Sequence, residues 1–330
     1  MPDLSLLYLD QPLQNISVAY ENGSYFAEKI FPPVPVPFQT GRVPRYWFEK
    51  FRLYETRRAR LAEANEIAPW TIDMPAFFCR DHSLKDAIAD EDRNNNMLGA
   101  DLEVNTTENL TEAILLELEY GAQTKIFGAG TTVPTTTLSG TSQWSDYVNS
   151  DPVAAVETAR IQIKQATGKV PDVMGVSFPV YTTLRQHPRI IDRFKYTDLS
   201  QGMATIGQLA KVFDVKEFWV MDAEYDSSPE GVSTMGTQTI NIPNQSTDSL
   251  LSFVWGKNAF LGFLPGTPGK LEVVFGFQPR WIFGAPELGG TLVKRYRKEE
   301  KTADVIEVHR YHDLSILVPG AMYGWINATA

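Results

Sequence analysis

The stretch DLEVNTTENLTEAILLELEYGAQTKIF, residues 101–127, reads as one long helix. Leu110, Ile114, Leu118 and Ala122 recur at four-residue steps, and Leu115 and Ile126 widen the apolar stripe. That is the period of a helix with one buried face. Thr107 or Asn109 is a candidate cap for its second half, and Gly128 ends it. Roughly 25 residues at ~1.5 Å each give a rod near ~40 Å. No heptad continues beyond it, so the segment spans a domain rather than forming a coiled coil.

Toward the N-terminus, residues 1–35 read as an arm with isolated apolar residues and no long period. The arm runs into Phe31-Pro32-Pro33-Val34-Pro35-Val36-Pro37, whose prolines block helix and central strand alike and impose an extended path. Residues 38–78 follow, basic and aromatic. Tyr46, Trp47, Phe48, Phe51 and Tyr54 are interleaved with arginines, as in a single-strand nucleic-acid binder or in a hairpin that meets acids on a neighbour. Residues 62–66 are the expected turn region. Residues 67–74 alternate, with Pro69 demoting them to an edge strand. From Ser83 the pattern Ser83-Leu84-Lys85-Asp86 resembles a helix-capping start.

Charge is unevenly spread. Residues 42–60 hold Arg42, Arg45, Lys50, Arg52, Arg57, Arg58 and Arg60 against Glu49 and Glu55, a local +5 in a chain of −10. Residues 81–119 carry eleven acids, including Asp90, Glu91 and Asp92, against Lys85 and Arg93. Such opposed segments suit contact between copies, positive to negative. The candidate inter-subunit residues are therefore the seven basic residues, Trp47, Phe51, and the acids Asp90, Glu91 and Asp92.

Beyond the long helix, residues 128–150 read as a loop. Asp151-Pro152 opens a helix to Thr167 that stops at Gly168, with Asp as cap and Pro in the first turn. Residues 170–176 are a short strand, 178–186 a helix broken by His187-Pro188, 206–213 a helix and 218–221 a strand. This alternation suggests an α/β module. Strands are expected over 250–263, 271–277, 292–297, 304–311 and 314–318, with 298–301 as a charged hairpin tip. The late strands must pair with something, and residues 67–78 are the candidate.

The 43% hydrophobic and 12% aromatic content supports a packed core. The acidic balance argues against a general nucleic-acid binder. The single cysteine, Cys79, excludes an internal disulfide and fits a reducing compartment. No 18-residue apolar run and no basic-then-apolar leader occurs. There is no Walker A loop, no Gly-x-Gly-x-x-Gly and no Gly-x-Ser-x-Gly. His309 and His312 point to opposite faces of a strand, which spoils chelation. Cys79 beside Phe77 and Phe78 reads as a buried thiol. No catalytic residue, cofactor or metal site is expected.

Taken in order, these parts resemble the major capsid proteins of tailed double-stranded DNA bacteriophages, the HK97-type fold. The resemblance rests on Trp144-Ser145-Asp146 followed by Pro152 and a helix, and on Val173-Met174-Gly175-Val176-Ser177 through Leu184-Arg185-Gln186-His187-Pro188. It rests too on residues 210–220 (AKVFDVKEFWV) and 296–308 (YRKEEKTADVIEV). It implies an α+β chain with an N-terminal arm at 1–37 and an extended β-hairpin loop at 38–74. It further implies a peripheral β-rich domain at 75–150 and 268–330, with a spine helix at 101–127, and an α/β axial domain at 151–267. The family implies pentamers and hexamers of the chain closed into an icosahedral shell around DNA, with the long loop over a neighbouring subunit. DNA is met by non-specific proximity, and no membrane is involved. The expected location is the virion, after assembly in the host cytoplasm. No propeptide-like helix precedes the arm, so the expected partners are a separate scaffolding protein, a portal and, as an option, a decoration protein. Lys50 is the only loop lysine, and its setting gives no support for covalent crosslinking.

Two alternatives stand beside this reading. One is an encapsulin-like compartment of the same fold with enzyme cargo. The other is a soluble α/β enzyme, which a buried carboxylate–histidine pair would favour. For the loop, the triple reversal Arg57→Glu, Arg58→Glu and Arg60→Glu is expected to block assembly while the subunit still folds. Normal particles from that variant in electron micrographs would refute the electrostatic account.

Overall fold

The computed structural model describes residues 13, 17, 22–46, 53–60, 63–67, 72–95, 101–194, 203–226, 251–265, 273–282 and 291–330. The chain runs through α1 (Ala27–Ile30), β1 (Pro33–Val36), β2 (Thr40–Arg42), β3 (Arg45–Tyr46), β4 (Ile72–Asp73), β5 (Ala76–Phe78) and β6 (Arg80–Ala89). Next come α2 (Asp90–Asn94), α3 (Leu102–Phe127), β7 (Thr135–Thr137), α4 (Pro152–Thr167), β8 (Val173–Ser177), α5 (Phe178–Gln186), α6 (Pro188–Phe194), α7 (Ile206–Val212) and β9 (Glu217–Met221). It closes through β10 (Glu224–Asp226), β11 (Leu251–Phe253), β12 (Ala259–Gly262), β13 (Gly276–Trp281), β14 (Thr291–Lys298), β15 (Ala303–His312), β16 (Ser315–Ile316) and β17 (Met322–Ile326).

The long helix stands as its sequence reads. Asp101 caps α3, its carboxylate accepting from the amides of Glu103 (3.2 Å) and Val104 (3.4 Å). Gly128 closes the other end. Thr107 is no internal cap. Its hydroxyl donates to the Glu103 carbonyl at 2.8 Å and it lies fully buried within a continuous helix. Thr107, Thr111, Ile114, Leu118, Ala122 and Ile126 form one buried stripe at three- and four-residue steps. Each large apolar side chain in it contributes about 1.5–3 kcal/mol.

Two sheets share this helix. In the first, β1, β13, β15 and β14 are consecutive neighbours, β6 lies on β15, and β16 lies on β13. Proline-rich β1 runs parallel to β13, Pro33 opposite Gln278 and Val36 opposite Trp281. Ile88, Val293, Ile306 and Val308 of this sheet pack on Ile114 of α3 and on Leu13. The second sheet has the order β7-β17-β12-β8-β9. Its β8 is buried at every residue, and α4, α5 and α7 cover it with Val156, Ile163, Leu184, Leu209 and Phe213. Asp151 caps α4, and Gly168 takes the left-handed conformation (φ 70°) that ends it. The mixed helix and strand content is the α+β class expected.

Several expectations are corrected. Ser83-Leu84-Lys85-Asp86 opens no helix. It lies in β6, which pairs with β15 over ten residues, from Ala303–Ala89 to His312–Arg80. The apolar β15 needs a partner on each edge, and a ladder of that length overrides a four-residue capping signal. The strand expected over 271–277 begins at Gly276, where the backbone squeezes past Ser315 and Phe31. An added Cβ there would sit 2.6 Å from the Ser315 carbonyl oxygen. The strand expected over 314–318 shrinks to β16, and β17 was missed. The late strands pair with residues 80–89, whereas β5 pairs with β2. Part of the 67–74 stretch lies outside the described residues, and Ile72–Asp73 pairs with β3.

The arm is fixed to the spine by a carboxylate. Glu119 is fully buried; it accepts from the amides of Phe26 (3.0 Å) and Ala27 (2.7 Å) and from the Trp255 indole (2.6 Å). Burial pushes its carboxyl above the usual range even against these three donors. Glu119→Gln keeps the volume but turns an amide N–H₂ toward one of three converging N–H groups. It should cost about 1–3 kcal/mol in denaturant unfolding and expose residues 22–36 to protease. Unchanged stability and unchanged cleavage would show that the carboxylate is not the pin.

Candidate assembly surface

The loop is rooted by two-residue and three-residue ladders, β3 with β4 and β2 with β5. Arg45 locks that root. Its guanidinium pairs with Asp73 across the ladder and donates to the Leu317 carbonyl at 2.8 Å. Of the basic candidates, Arg45 therefore holds its own subunit together. Beyond the root, residues 53–60 and 63–67 adopt neither helix nor strand. Asn65 donates to the Glu55 carbonyl (2.7 Å), drawing the two limbs together. Leu53 is 98% exposed. Arg57, Arg58 and Arg60 are exposed, and among the described residues no ion pair reaches them. Arg42 is exposed on β2. Trp47, Lys50, Phe51 and Arg52 lie outside the described residues.

The acidic segment is less available than its composition suggests. Asp90 is gripped by Arg297 through both oxygens, at 2.7 and 2.6 Å, and these bonds hold its carboxyl below the usual range. Asp304 meets Arg93 (2.9 Å), Arg295 (3.2 Å) and Arg297 (3.3 Å), while Glu103 meets Arg93 and Arg295. This network ties the N-terminal end of α3 to the β14–β15 hairpin. Glu112 accepts from Asn22 (2.8 Å) and Tyr25 (2.5 Å), and Glu117 pairs with His82. Glu91 and Asp92 are exposed, with no ion pair among the described residues. Of the three candidate acids, Glu91 and Asp92 are thus at the surface while Asp90 is engaged.

Sequence reasoning missed the cluster under the arm. Arg280 of β13 (2.6 Å) and Arg310 of β15 both bind Glu28 of α1 through one oxygen. Burial works to raise the Glu28 carboxyl, and the two guanidiniums outweigh it and hold it low. No local signal could have shown this, because the partners are 252 and 282 positions apart. Beside the pair, His312 is buried and stacks on His82 at 4.1 Å. His309 is buried on the opposite face, its Nδ1 3.0 Å from Asp81 and its Nε2 2.6 Å from Glu307. That is the carboxylate–histidine pairing named for the enzyme alternative. Both ring nitrogens face carboxylates, and Lys294 also approaches Nε2 at 3.0 Å, so no nitrogen is left to take a proton from a nucleophile. Among the described residues no cluster of His, Cys, Asp and Glu is arranged to hold a metal ion. Cys79 is buried, and burial pushes its thiol up to about 11. No helix among the described residues is long and apolar enough to cross a membrane.

Burial, with nearby His82, Arg310 and Arg280, lowers His312 from its ordinary value to about 2. The folded chain therefore refuses a proton that the unfolded chain accepts below pH ~6.5. Stability should fall as pH drops below ~6.5, by at most about 1.4 kcal/mol per pH unit from this residue. His187, lowered chiefly by burial, acts in the same direction. Denaturant unfolding of His312→Gln between pH 7 and 4 should give a flatter profile than the parent chain. Parallel profiles would remove His312 as the acid-sensitive group.

No protein-family model matches the sequence. The chain is 28% identical over 264 residues to the major capsid protein of Burkholderia phage BcepMu, covering 79% of this chain and 78% of that one. It is 26% identical over 226 residues to the major capsid protein of Pseudomonas phage JBD67, covering 68% and 71%. Among solved structures, a phage-related protein from Bordetella bronchiseptica RB50 superposes with a TM-score of 0.73 at 23% identity over 98% of each chain. The capsid of cyanophage P-SCSP1u gives 0.57 at 11%, covering 93% and 89%. A virus-like particle from Pyrococcus furiosus gives 0.53 at 10%, covering 96% and 97%. The chain is thus similar over most of its length to two phage major capsid proteins and shares the HK97-type fold of the solved capsid structures.

Proposed function

We propose that copies of this chain assemble as pentamers and hexamers into an icosahedral shell enclosing double-stranded DNA, with no catalytic step. The observation that carries the assembly reading is an exposed, basic, structureless loop segment on a body that leaves acids exposed elsewhere. Arg57, Arg58, Arg60 and Leu53 have little to do within one subunit. Their contact is a neighbouring copy, where Glu91 and Asp92 offer charge. In this reading residues 1–37 are the arm, 38–74 the extended loop, 75–150 with 268–330 the peripheral domain, and 151–267 the axial domain. Scaffolding, portal and decoration proteins act as partners, assembly takes place in the host cytoplasm, and DNA is met without sequence readout. The sharing of this fold by the P. furiosus particle supports a second reading, an encapsulin-like compartment.

Negative-stain electron microscopy of the purified protein should show shells of uniform diameter. A small monodisperse monomer under all solution conditions would overturn both shell readings. Nuclease-protected DNA in particles made in the host would support the capsid reading, and a stoichiometric enzyme cargo without DNA would favour the compartment.

A further inference from the structure

Among the described residues the outer edge of β6 is an unpaired template. The Asp90 amide donates to the Thr302 carbonyl (3.2 Å), continuing the ladder of β6 on β15. In that register the even residues of β6 exchange bonds with β15, and the amides of Asp81, Ser83, Lys85 and Ala87 point away. The Ala87 amide turns back to the carboxylate of Asp86 at 2.7 Å. Among the described residues no strand pairs this edge. Leu84 is 43% exposed on the strand, and Glu91 and Asp92 are exposed just beyond its end.

The loop carries the matching pattern. Leu53 lies four to seven positions before Arg57, Arg58 and Arg60, and Leu84 lies five positions before Ala89, where β6 ends against Glu91 and Asp92 in α2. Aligned in parallel, Leu53 lies at Leu84 while Arg57, Arg58 and Arg60 come to the Glu91–Asp92 end. Aligned antiparallel with the same leucine contact, Arg57 would fall opposite Arg80, a like-charge pair that strands disfavour. The segment has no helix or strand of its own, so strand addition satisfies backbone groups on both sides at once.

We propose that the outer edge of β6 receives residues 53–60 of a second copy, added as a parallel strand with the arginines against Glu91 and Asp92. The inference rests on the loop reading above and fixes where that loop docks. Three variants of the full chain test it, each first checked for folding by circular dichroism and denaturant unfolding. The triple reversal of Arg57, Arg58 and Arg60 to Glu should lower particle yield about ten- to a hundredfold at fixed subunit concentration. Adding Glu91→Arg and Asp92→Arg to that chain should restore it, because both sides of the contact are then exchanged. Lys85→Pro should lower yield while keeping the β6–β15 ladder, since the Lys85 amide points away from β15. Normal particles from the triple reversal would overturn the loop reading and this inference with it. A blocked triple reversal that the added arginines fail to rescue would overturn the β6 site alone. Normal yield from folded Lys85→Pro would overturn strand addition.

Discussion

The fold depends on one buried carboxylate and the helix that carries it. Glu119 accepts three hydrogen bonds, two from the start of α1 and one from Trp255. Desolvating a carboxylate costs several kcal/mol, and only a nearly complete set of donors offsets it. Once that set exists, the path of the arm is determined. Phe26, Ala27, Ile30 and Phe31 enter the core with Leu118, Ala122 and Ile126. The prolines that follow are carried to β13, where an extended edge strand without all its N–H groups is tolerated. The same core cluster reaches Phe260 and Trp255 of the second half, so the helix joins two sheets that make no shared ladder among the described residues.

Electrostatics follow a division of labour that net charge conceals. The charged residues of the sheet and spine largely satisfy one another: Arg297 with Asp90, Arg295 with Glu103, Arg280 and Arg310 with Glu28. Pairs with partly buried heads keep their strength in salt better than exposed ones. They fix the hairpin on the spine and the arm on the sheet. Of the candidate contact residues, those left exposed without an ion pair among the described residues include Arg57, Arg58 and Arg60 on the positive side and Glu91 and Asp92 on the negative. A segment that reads as +5 by composition thus contributes Arg45 to its own root and exposes only part of its charge.

Local chemistry was legible in the sequence where it acts alone. Asp151-Pro152 and Gly168 mark α4 at both ends because cap, ring constraint and left-handed exit are each local. The run from Phe178 to Gln186 matches α5 residue for residue. Strand β6 was not legible. Its charged outward residues give no alternation of apolar with polar, and its only reason to extend is β15, more than two hundred positions away. Strand β17 failed likewise, since Met322–Ile326 is defined by β12 and β7 rather than by turn signals of its own. The Glu28 and Glu119 pins are side-chain events at long range, invisible to spacing. The loop arginines were legible as charge and not as geometry, because composition does not say which guanidiniums the subunit itself engages.

That last distinction bears on how such a chain would avoid assembling wrongly in the proposed shell. A loop whose arginines were all engaged at home would have nothing to offer a neighbour. A loop with none engaged would have no defined direction. Arg45, paired with Asp73 and bonded to the Leu317 carbonyl, sets the direction at the root. Among the described residues, the arginines some twelve to fifteen positions further on make no ion pair within the subunit. In the proposed shell, charge steering would bring copies together at modest energy per contact, which allows misplaced contacts to dissociate before a correct one is reinforced by many others. The irregular backbone of the tip works in the same direction. In the proposed contact it would gain order only on a partner that offers backbone groups as well as charge, so attraction alone would not complete the contact.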